Sequence, residues 1–242
     1  MTRLRSEALA SAQPGSARQA AKQNPAGNKK QIFIVDDHPM MREGLAQLIA
    51  HEPDLAVCGE AGTSREALDL IGKLKPDLLL ADISLPDKSG LELIKDLQAL
   101  HPKLPVLAIS MHDESLHAER VLRAGGRGYI MKQEGGNKMM QAIRQVLSGK
   151  IYVSEKMSAR ILETFTGHSK STKSPIEKLT DREFEIFQLI GEGKGTRDIA
   201  GQLHLSVKTI EAHRANIKEK LQIKDAMELV RQAVRWVEAH GG

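Results

Sequence analysis

The chain has one cysteine, Cys58, in 242 residues, so no internal disulfide can form and a reducing cytoplasm is the expected setting. No run of about 18 apolar residues occurs, which excludes a membrane-spanning helix. The first thirty residues lack the apolar stretch of a secretory signal and are rich in Arg, Ala and Ser instead. Pro14, Gly15, Pro25 and Gly27 interrupt any helix there, so residues 1–30 are expected to be a disordered basic tail. No internal repeat is visible.

Also missing is a surplus of positive charge where nucleic acid would bind. The net charge of +4 divides into +5 for residues 1–30, −3 for 31–150, +2 for 151–175 and zero for 176–242. Bulk charge is therefore no evidence for DNA binding, and any such case has to rest on local pattern.

What is present is alternation. From residue 31, short β-rich runs (31–36, 55–61, 77–82, 105–110 and 128–131) are separated by amphipathic helical runs (39–51, 64–74, 89–100, 114–123 and 136–148). Thr63 or Ser64, and Ser89, are the helix starters. Five such units with nearly continuous apolar strands predict a doubly wound α/β fold with a five-stranded parallel sheet. Residues 149–175 read as a linker, with a helix at 154–165 before the Ser/Thr/Lys/Gly-rich stretch "TGHSKSTKSP". Beyond 176 the strand signals vanish, and four short helices fit 180–191, 196–203, 207–221 and 225–239.

In a parallel sheet ligands bind outside the carboxyl ends of the strands, where the winding reverses. That rule singles out Asp36, Asp37, Asp82, Ser110 and Lys132. Three carboxylates at one edge repel one another and cannot all stay ionised unless a cation joins them. All-oxygen ligands suit Mg²⁺, which typically bridges to a phosphate. A carboxylate beside Lys132 could attack a phosphoryl group to give an acyl phosphate, with the ammonium and the metal stabilising the transferring oxygens. Ser110 could hydrogen-bond to the new group. Singly, each residue has a plainer reading. Asp36-Asp37 suits a helix cap as well as a metal pair, Asp82 a loop acid, Ser110 a turn and Lys132 a solvated charge. Their joint placement at four strand ends argues against the plain readings.

These residues carry a resemblance. "VDDHPMMREGL", "PDLLLADISLPDKSGLELI", "VLAISMHDE" and "GGRGYIMK" closely resemble the receiver domain of two-component response regulators, over roughly 31–148. The resemblance implies a flavodoxin-like fold in which Asp82 is phosphorylated by a sensor histidine kinase. It implies Mg²⁺ held by Asp37, Asp36, Asp82 and the backbone carbonyl of Ser84. Ser110 is then the hydroxyl switch residue, Tyr129 its aromatic coupling partner and Lys132 the site lysine. Gly126 stands where the family usually has Ala, and Ser89 where an apolar residue is common.

In the C-terminal part, "DIAGQLHLSVKTIEAHRANIKEKL" offers helix, turn and helix, with Thr196 and Ser206 as expected N-caps. On a helical wheel of 207–221, Ile210, Ile217 and Leu221 share one face, and Lys208, Glu211, Ala212, Ala215 and Lys218 the opposite one. Two alanines among long polar side chains suit a helix lying in a major groove, but on the residues alone the mixed charge favours a solvated amphipathic helix. Residues 179–223 resemble the LuxR-type helix-turn-helix of the NarL/FixJ response-regulator group. That implies a small all-α four-helix domain over 176–242 that binds double-stranded DNA. Glu211, Ala212 and Ala215 would face base edges, while Lys208, Thr209, His213, Arg214 and Lys218 would hold the backbone. The family's Ser-Asn-Lys-Glu before "IA" is replaced by Gly195-Thr196-Arg197-Asp198.

Together the resemblances imply a transcription factor rather than an enzyme, with no catalytic residues and no membrane or small-molecule partner beyond a phosphodonor. Phosphorylation of Asp82 would draw Ser110 inward, let Tyr129 repack, and control homodimerisation or unmask the DNA-binding helix. Two other classes share some features. One is a DNA-binding regulator whose receiver takes no phosphate. The other is an aspartyl-phosphate hydrolase of the dehalogenase type, against which stands the adjacent "DD" after the first strand.

Overall fold

Uninterrupted apolar strands can be stable only if both faces of the sheet are covered. In the computed structural model, which describes residues 29–165 and 175–240, that is how the first part of the chain is built. Strands β1 (Lys30–Val35), β2 (Leu55–Ala61), β3 (Leu78–Asp82), β4 (Val106–Ser110) and β5 (Gly128–Met131) pair in parallel in the order β2-β1-β3-β4-β5. Helices α1 (Pro39–Ala50), α2 (Ser64–Leu74), α3 (Gly90–Leu100), α4 (Glu114–Arg123) and α5 (Gly136–Leu147) connect and follow them.

Alternate strand residues feed two separate cores. Phe33, Val35, Leu79, Ala81, Val106 and Ala108 pack with Ala67 and Ile71 of α2, Leu93, Ile94 and Leu97 of α3, and Val121 of α4. Ile32, Ile34, Leu78, Leu80, Leu107 and Ile109 pack with Leu45 and Ile49 of α1 and Met139, Ile143 and Val146 of α5. Each of the larger side chains among these contributes roughly 1.5–3 kcal/mol through removal from water, which holds the central strand β3 firmly in register. Thr63 caps α2 by accepting from the Glu66 amide, and Ser89 caps α3 by accepting from Leu91. Asp87, in the loop before α3, accepts the Ser64 and Arg65 amides; these hold its carboxyl below the usual range although burial pushes it up.

Two small residues are dictated by close approach. A Cβ on Gly90 would fall 2.1 Å from the Asp82 carbonyl oxygen, and one on Gly126 would fall 2.5 Å from Val121 Cγ1. The Gly at 126, a departure from the family pattern, thus has a packing reason here. After α5 the chain returns to the sheet edge, where Tyr152 bridges Gly128 and covers β5. Helix α6 (Glu155–Phe165) follows. Most of the expected tail and the stretch 166–174 of the expected linker lie outside the described residues.

The remainder is helical. A 3₁₀ turn, Pro175–Lys178, is followed by α7 (Asp181–Gly191), α8 (Thr196–Gln202), α9 (Val207–Leu221) and α10 (Ala226–His240). Their shared core includes Phe184, Phe187, Ile190, Ile199, Ile210, Ile217, Leu229 and Ala233. The single Trp236 of α10 packs edge-on against Phe184 and Phe187 of α7. A capping box between Thr180 and Glu183 starts α7, and Ser206 caps α9 as expected. The expectation for α8 is corrected: Gly195 is its N-cap and Thr196 the first helical residue. Asp198 takes over the capping by accepting the Gly195 amide at 3.2 Å, a local acceptor that leaves the Thr196 hydroxyl unneeded.

Candidate phosphoacceptor site and DNA-binding helix

The order of the strands decides what meets at the sheet edge. β1 and β3 are neighbours, so Asp36 and Asp37, just past β1, lie beside Asp82 at the end of β3. Lys132, just past β5, reaches across to both. Its Nζ is 2.6 Å from Asp82 Oδ2 and 2.6 Å from Asp36 Oδ2, and its side chain is only 5% exposed. The reading of Lys132 as a solvated charge is thereby excluded. Asp82 Oδ1 accepts the Ser84 amide at 3.1 Å, and Asp36 Oδ1 accepts the His38 amide at 2.9 Å. The α1 N-cap is His38, so neither aspartate caps that helix with its side chain in the usual way.

One ammonium facing three carboxylates leaves the cluster short of positive charge. Burial pushes the Asp82 carboxyl up; Lys132 pulls it down and Asp36 adds to the rise, and the net direction is upward. Burial alone would pull Lys132 down, but Asp82 and Asp36 outweigh it and hold the ammonium above its ordinary range. A pocket that raises both its acid and its base is under-neutralised.

Ligand atoms of Asp36, Asp37, Asp82 and His38 all lie within 4.8 Å of one another. The donor set therefore fits a hard divalent cation, with the carboxylates as its oxygen ligands. His38 was missed by sequence reasoning. Its Nδ1 lies 2.6 Å from Asp37 Oδ1, and its place directly after "DD" was the available signal. His204, in the turn between α8 and α9 with φ at +52°, brings Nε2 within 3.5 Å of Asp37 Oδ2. No local sequence signal links it to the acidic edge.

Ser110 is fully buried at the end of β4, and its Oγ accepts the His112 amide at 3.1 Å. Tyr129 of β5 is buried too. Its hydroxyl donates to the His112 carbonyl at 2.7 Å, and burial pushes its pKa up. Ser110 is thus a core-facing hydroxyl and not a surface turn residue.

On α9, Ile210 and Ile217 are buried and Leu221 is partly buried against the same core, as the wheel requires. Lys208, Glu211, Ala212 and Ala215 are exposed; Thr209 and Lys218 are half-buried. His213 and Arg214 are half-buried as well, and burial pulls the pKa of each down. The α/β part does not cover the face carrying Glu211, Ala212 and Ala215. What it covers is α7.

That interface is polar and buried. Asp181 of α7 pairs with Lys95 of α3 at 2.6 Å and with Arg120 of α4 at 3.2 Å. Arg120 also donates to the Ile176 and Leu179 carbonyls and lies 3.9 Å over the Phe184 ring. His117 of α4 packs edge-on against Phe184, and its Nε2 meets Gln188 Oε1 at 2.5 Å. Burial pulls the His117 pKa down to about 3, so this imidazole is neutral near pH 7. Glu185 is fully buried and raised by burial, against the pull of Arg182 at 2.7 Å.

Comparison with known proteins agrees with both parts. Residues 32–144 match the response regulator receiver domain, and residues 177–233 match the bacterial regulatory proteins of the luxR family. The oxygen regulatory protein NreC of Staphylococcus haemolyticus is 35% identical over 84% of this chain and 96% of its own length. The transcriptional regulatory protein DegU of Brevibacillus brevis is 30% identical over 87% of this chain and 96% of its own length. Among solved structures, the RcsB response regulator of Salmonella typhimurium is 27% identical and covers 85% of this chain and 98% of its own, with a TM-score of 0.53. Both halves are matched in order, and the relatives align over nearly their whole length. The chain belongs to the response regulators that join a receiver domain to a LuxR-family DNA-binding domain and act as transcription factors.

Proposed function

We propose that Asp82 accepts a phosphoryl group from a sensor histidine kinase and that this modification governs homodimerisation and the binding of double-stranded DNA through α9. The observation that carries the reading is the position of Asp82. It ends the central strand with one oxygen on the Ser84 amide and the other on Lys132, beside the Asp36 and Asp37 carboxylates. In transfer, the phosphorus–nitrogen bond of a phosphohistidine protonated on its other ring nitrogen breaks as an Asp82 oxygen–phosphorus bond forms. The histidine keeps the bond's electron pair and leaves as neutral imidazole. Bound Mg²⁺, held by Asp36, Asp37, Asp82 and the Ser84 carbonyl, would supply charge neutralisation on the phosphoryl oxygens.

The chain's own residues do the rest. Lys132 holds a fixed positive charge where the new phosphoryl group sits, and the Ser84 amide orients the attacking carboxylate. Ser110 supplies a hydroxyl to the product, with Tyr129 packed behind it. On α9 the exposed Lys208, Glu211, Ala212 and Ala215 form the reading face, with Thr209, Arg214, His213 and Lys218 at its margins toward the DNA backbone. RcsB has been solved as two dimers bound to two parallel DNAs, which supports a dimer on DNA for this chain too. The chain works in the cytoplasm, in keeping with its lone thiol and with the absence, among the described residues, of any helix long and apolar enough to cross a membrane. Receiver and DNA-binding domains would span 31–148 and 176–242.

The test uses acetyl phosphate with Mg²⁺ on the full chain. Wild type gains one hydroxylamine-sensitive phosphoryl group, and its affinity for a duplex selected by the protein from a random pool changes. An Asp82→Asn protein with the same change in affinity and oligomeric state would overturn the reading in favour of a phosphorylation-independent regulator. Continuous release of inorganic phosphate from small phosphate esters would favour a hydrolase instead.

A further inference from the structure

The two residues that sense the acceptor site do not touch the DNA-binding domain. Ser110 and Tyr129 both end on one residue, His112, and they hold it by its backbone. Ser110 Oγ accepts the His112 amide at 3.1 Å, and the Tyr129 hydroxyl donates to the His112 carbonyl at 2.7 Å. The side chain of the same residue points the other way. Its Nδ1 is 3.0 Å from Gln188 Nε2 on α7, and its Nε2 is 3.5 Å from the Ser84 hydroxyl in the loop after Asp82.

We propose that His112 is the positioning residue that passes the state of the phosphoacceptor site to the DNA-binding domain, with Gln188 as its receiver on α7. The inference rests on the phosphoacceptor reading above and adds the path by which it acts.

The hydrogen-bond directions follow from chemistry. The amide nitrogen of Gln188 can only donate, so His112 Nδ1 accepts and the ring proton sits on Nε2, facing Ser84. Gln188 Nε2 also donates to Glu192 at 2.9 Å, and Gln188 Oε1 accepts from His117. Both donors and the oxygen of this buried amide are thereby engaged, and two of its three partners, His112 and His117, belong to the receiver. Gln188 therefore reports on the position of the loop at 111–113 and on α4 together.

Ser110 turning its hydroxyl toward a phosphoryl group on Asp82 gives up its grip on the His112 amide. Movement of Tyr129 removes the second grip. A backbone shift of about 1 Å carries a 3.0 Å bond beyond hydrogen-bonding range, so His112 cannot stay on Gln188 while its peptide groups relocate. The partners on α7 are then left buried and unpaired, which favours undocking. No apolar residue at position 112 could do this, because packing contacts tolerate a small slide and a directional acceptor does not.

The experiment follows hydrogen exchange of the α7 amides (181–191) in the full chain, with and without acetyl phosphate and Mg²⁺. Trp236 fluorescence serves as a second report of α7, and mass spectrometry measures phosphorylation. Wild type should show faster α7 exchange on phosphorylation. Gln188→Met, which keeps the volume, and His112→Ala should take phosphate as wild type does. Without phosphate their α7 exchange should already be about three- to tenfold faster, the worth of one buried hydrogen bond. Phosphorylation should add little, and the double variant should be no looser than either single one. His112→Asn, whose Oδ1 can take the Nδ1 place, should keep the wild-type response.

Wild type responding, with Gln188→Met and His112→Ala responding equally, would overturn the role of His112 and leave the phosphoacceptor reading intact. Loss of the response in His112→Asn as well would also overturn it. No phosphate on wild-type Asp82 would sink both readings at once, whereas phosphate on Asp82 with no change in α7 would overturn the role of His112 alone.

Discussion

At the sheet edge, Asp36 and Asp82 share one ammonium with Asp37 beside them; along α7, Asp181 meets two cations and Gln188 has both donors and its oxygen engaged. The two sites are both buried, both polar and both built on helices and strands with apolar backs. They differ in how far their charge is neutralised. The acidic cluster carries more negative than positive charge, so a cation taken up there would relieve it. The α7 interface is more fully paired, although His117 Nδ1 and Glu185 Oε1 are buried without a hydrogen-bond partner, and it loses if a partner moves. On the proposed reading, phosphorylation would change the charge of the first site, and the second tolerates little displacement.

Breaking the acidic side should have the largest effect. Asp82→Asn removes the attacking oxygen's charge, and acyl-phosphate formation should fall more than about 100-fold, as expected for loss of a nucleophile. Phosphate-affinity gels after acetyl phosphate treatment would read this. Next comes Lys132→Ala, which strips two buried carboxylates of the only ammonium close to them among the described residues. Urea unfolding should show a loss of about 3 kcal/mol at neutral pH, and Mg²⁺ should restore part of it if the cluster binds the ion.

On the α7 side, Arg120→Ala removes a charge from Asp181, donors from two carbonyls and a cation from the Phe184 face. A loss of about 1–3 kcal/mol is expected, seen as an earlier unfolding phase by Trp236 fluorescence while the far-UV signal of the sheet domain persists. Arg120→Lys should recover little, since one ammonium cannot serve carbonyls, carboxylate and ring together.

The smallest effect expected is that of pH. His117 falls from 6.5 to about 3 on folding, so the unfolded chain binds the extra proton between those values. Stability is therefore kept above pH 6.5 and is lost as pH falls below it. Going from pH 7.5 to 5.5 should cost about 1 kcal/mol through this group, and His117→Phe should flatten that part of the profile in urea titrations.

The sequence was most legible where a single period governs the outcome. Strand and helix positions from 31 to 148 match to within a residue or two, because apolar runs, Ser and Thr caps and tight turns act locally. Asp36, Asp37, Asp82, Ser110 and Lys132 were legible for a related reason: a parallel sheet puts all its strand ends on one edge. Thr196 misled because a cap depends on which nearby side chain reaches the free amide, and Asp198 reached it first. His112, His117, Asp181, Glu185 and Gln188 gave no sign. Each sits on an element whose other face explains it as ordinary helix or loop, and, Glu185 with Arg182 apart, the partners lie dozens of residues away.

By itself, then, the sequence determined two folding units and the set of polar residues gathered at the end of the sheet, since both follow from local periodicity and the geometry of parallel strands. Only the tertiary structure decided that α7, rather than the reading face of α9, is what the receiver covers, and that His112 is gripped from both sides. Those facts depend on the docking of two separately folded surfaces. No spacing along one chain encodes such an arrangement in a form that can be read without the other surface.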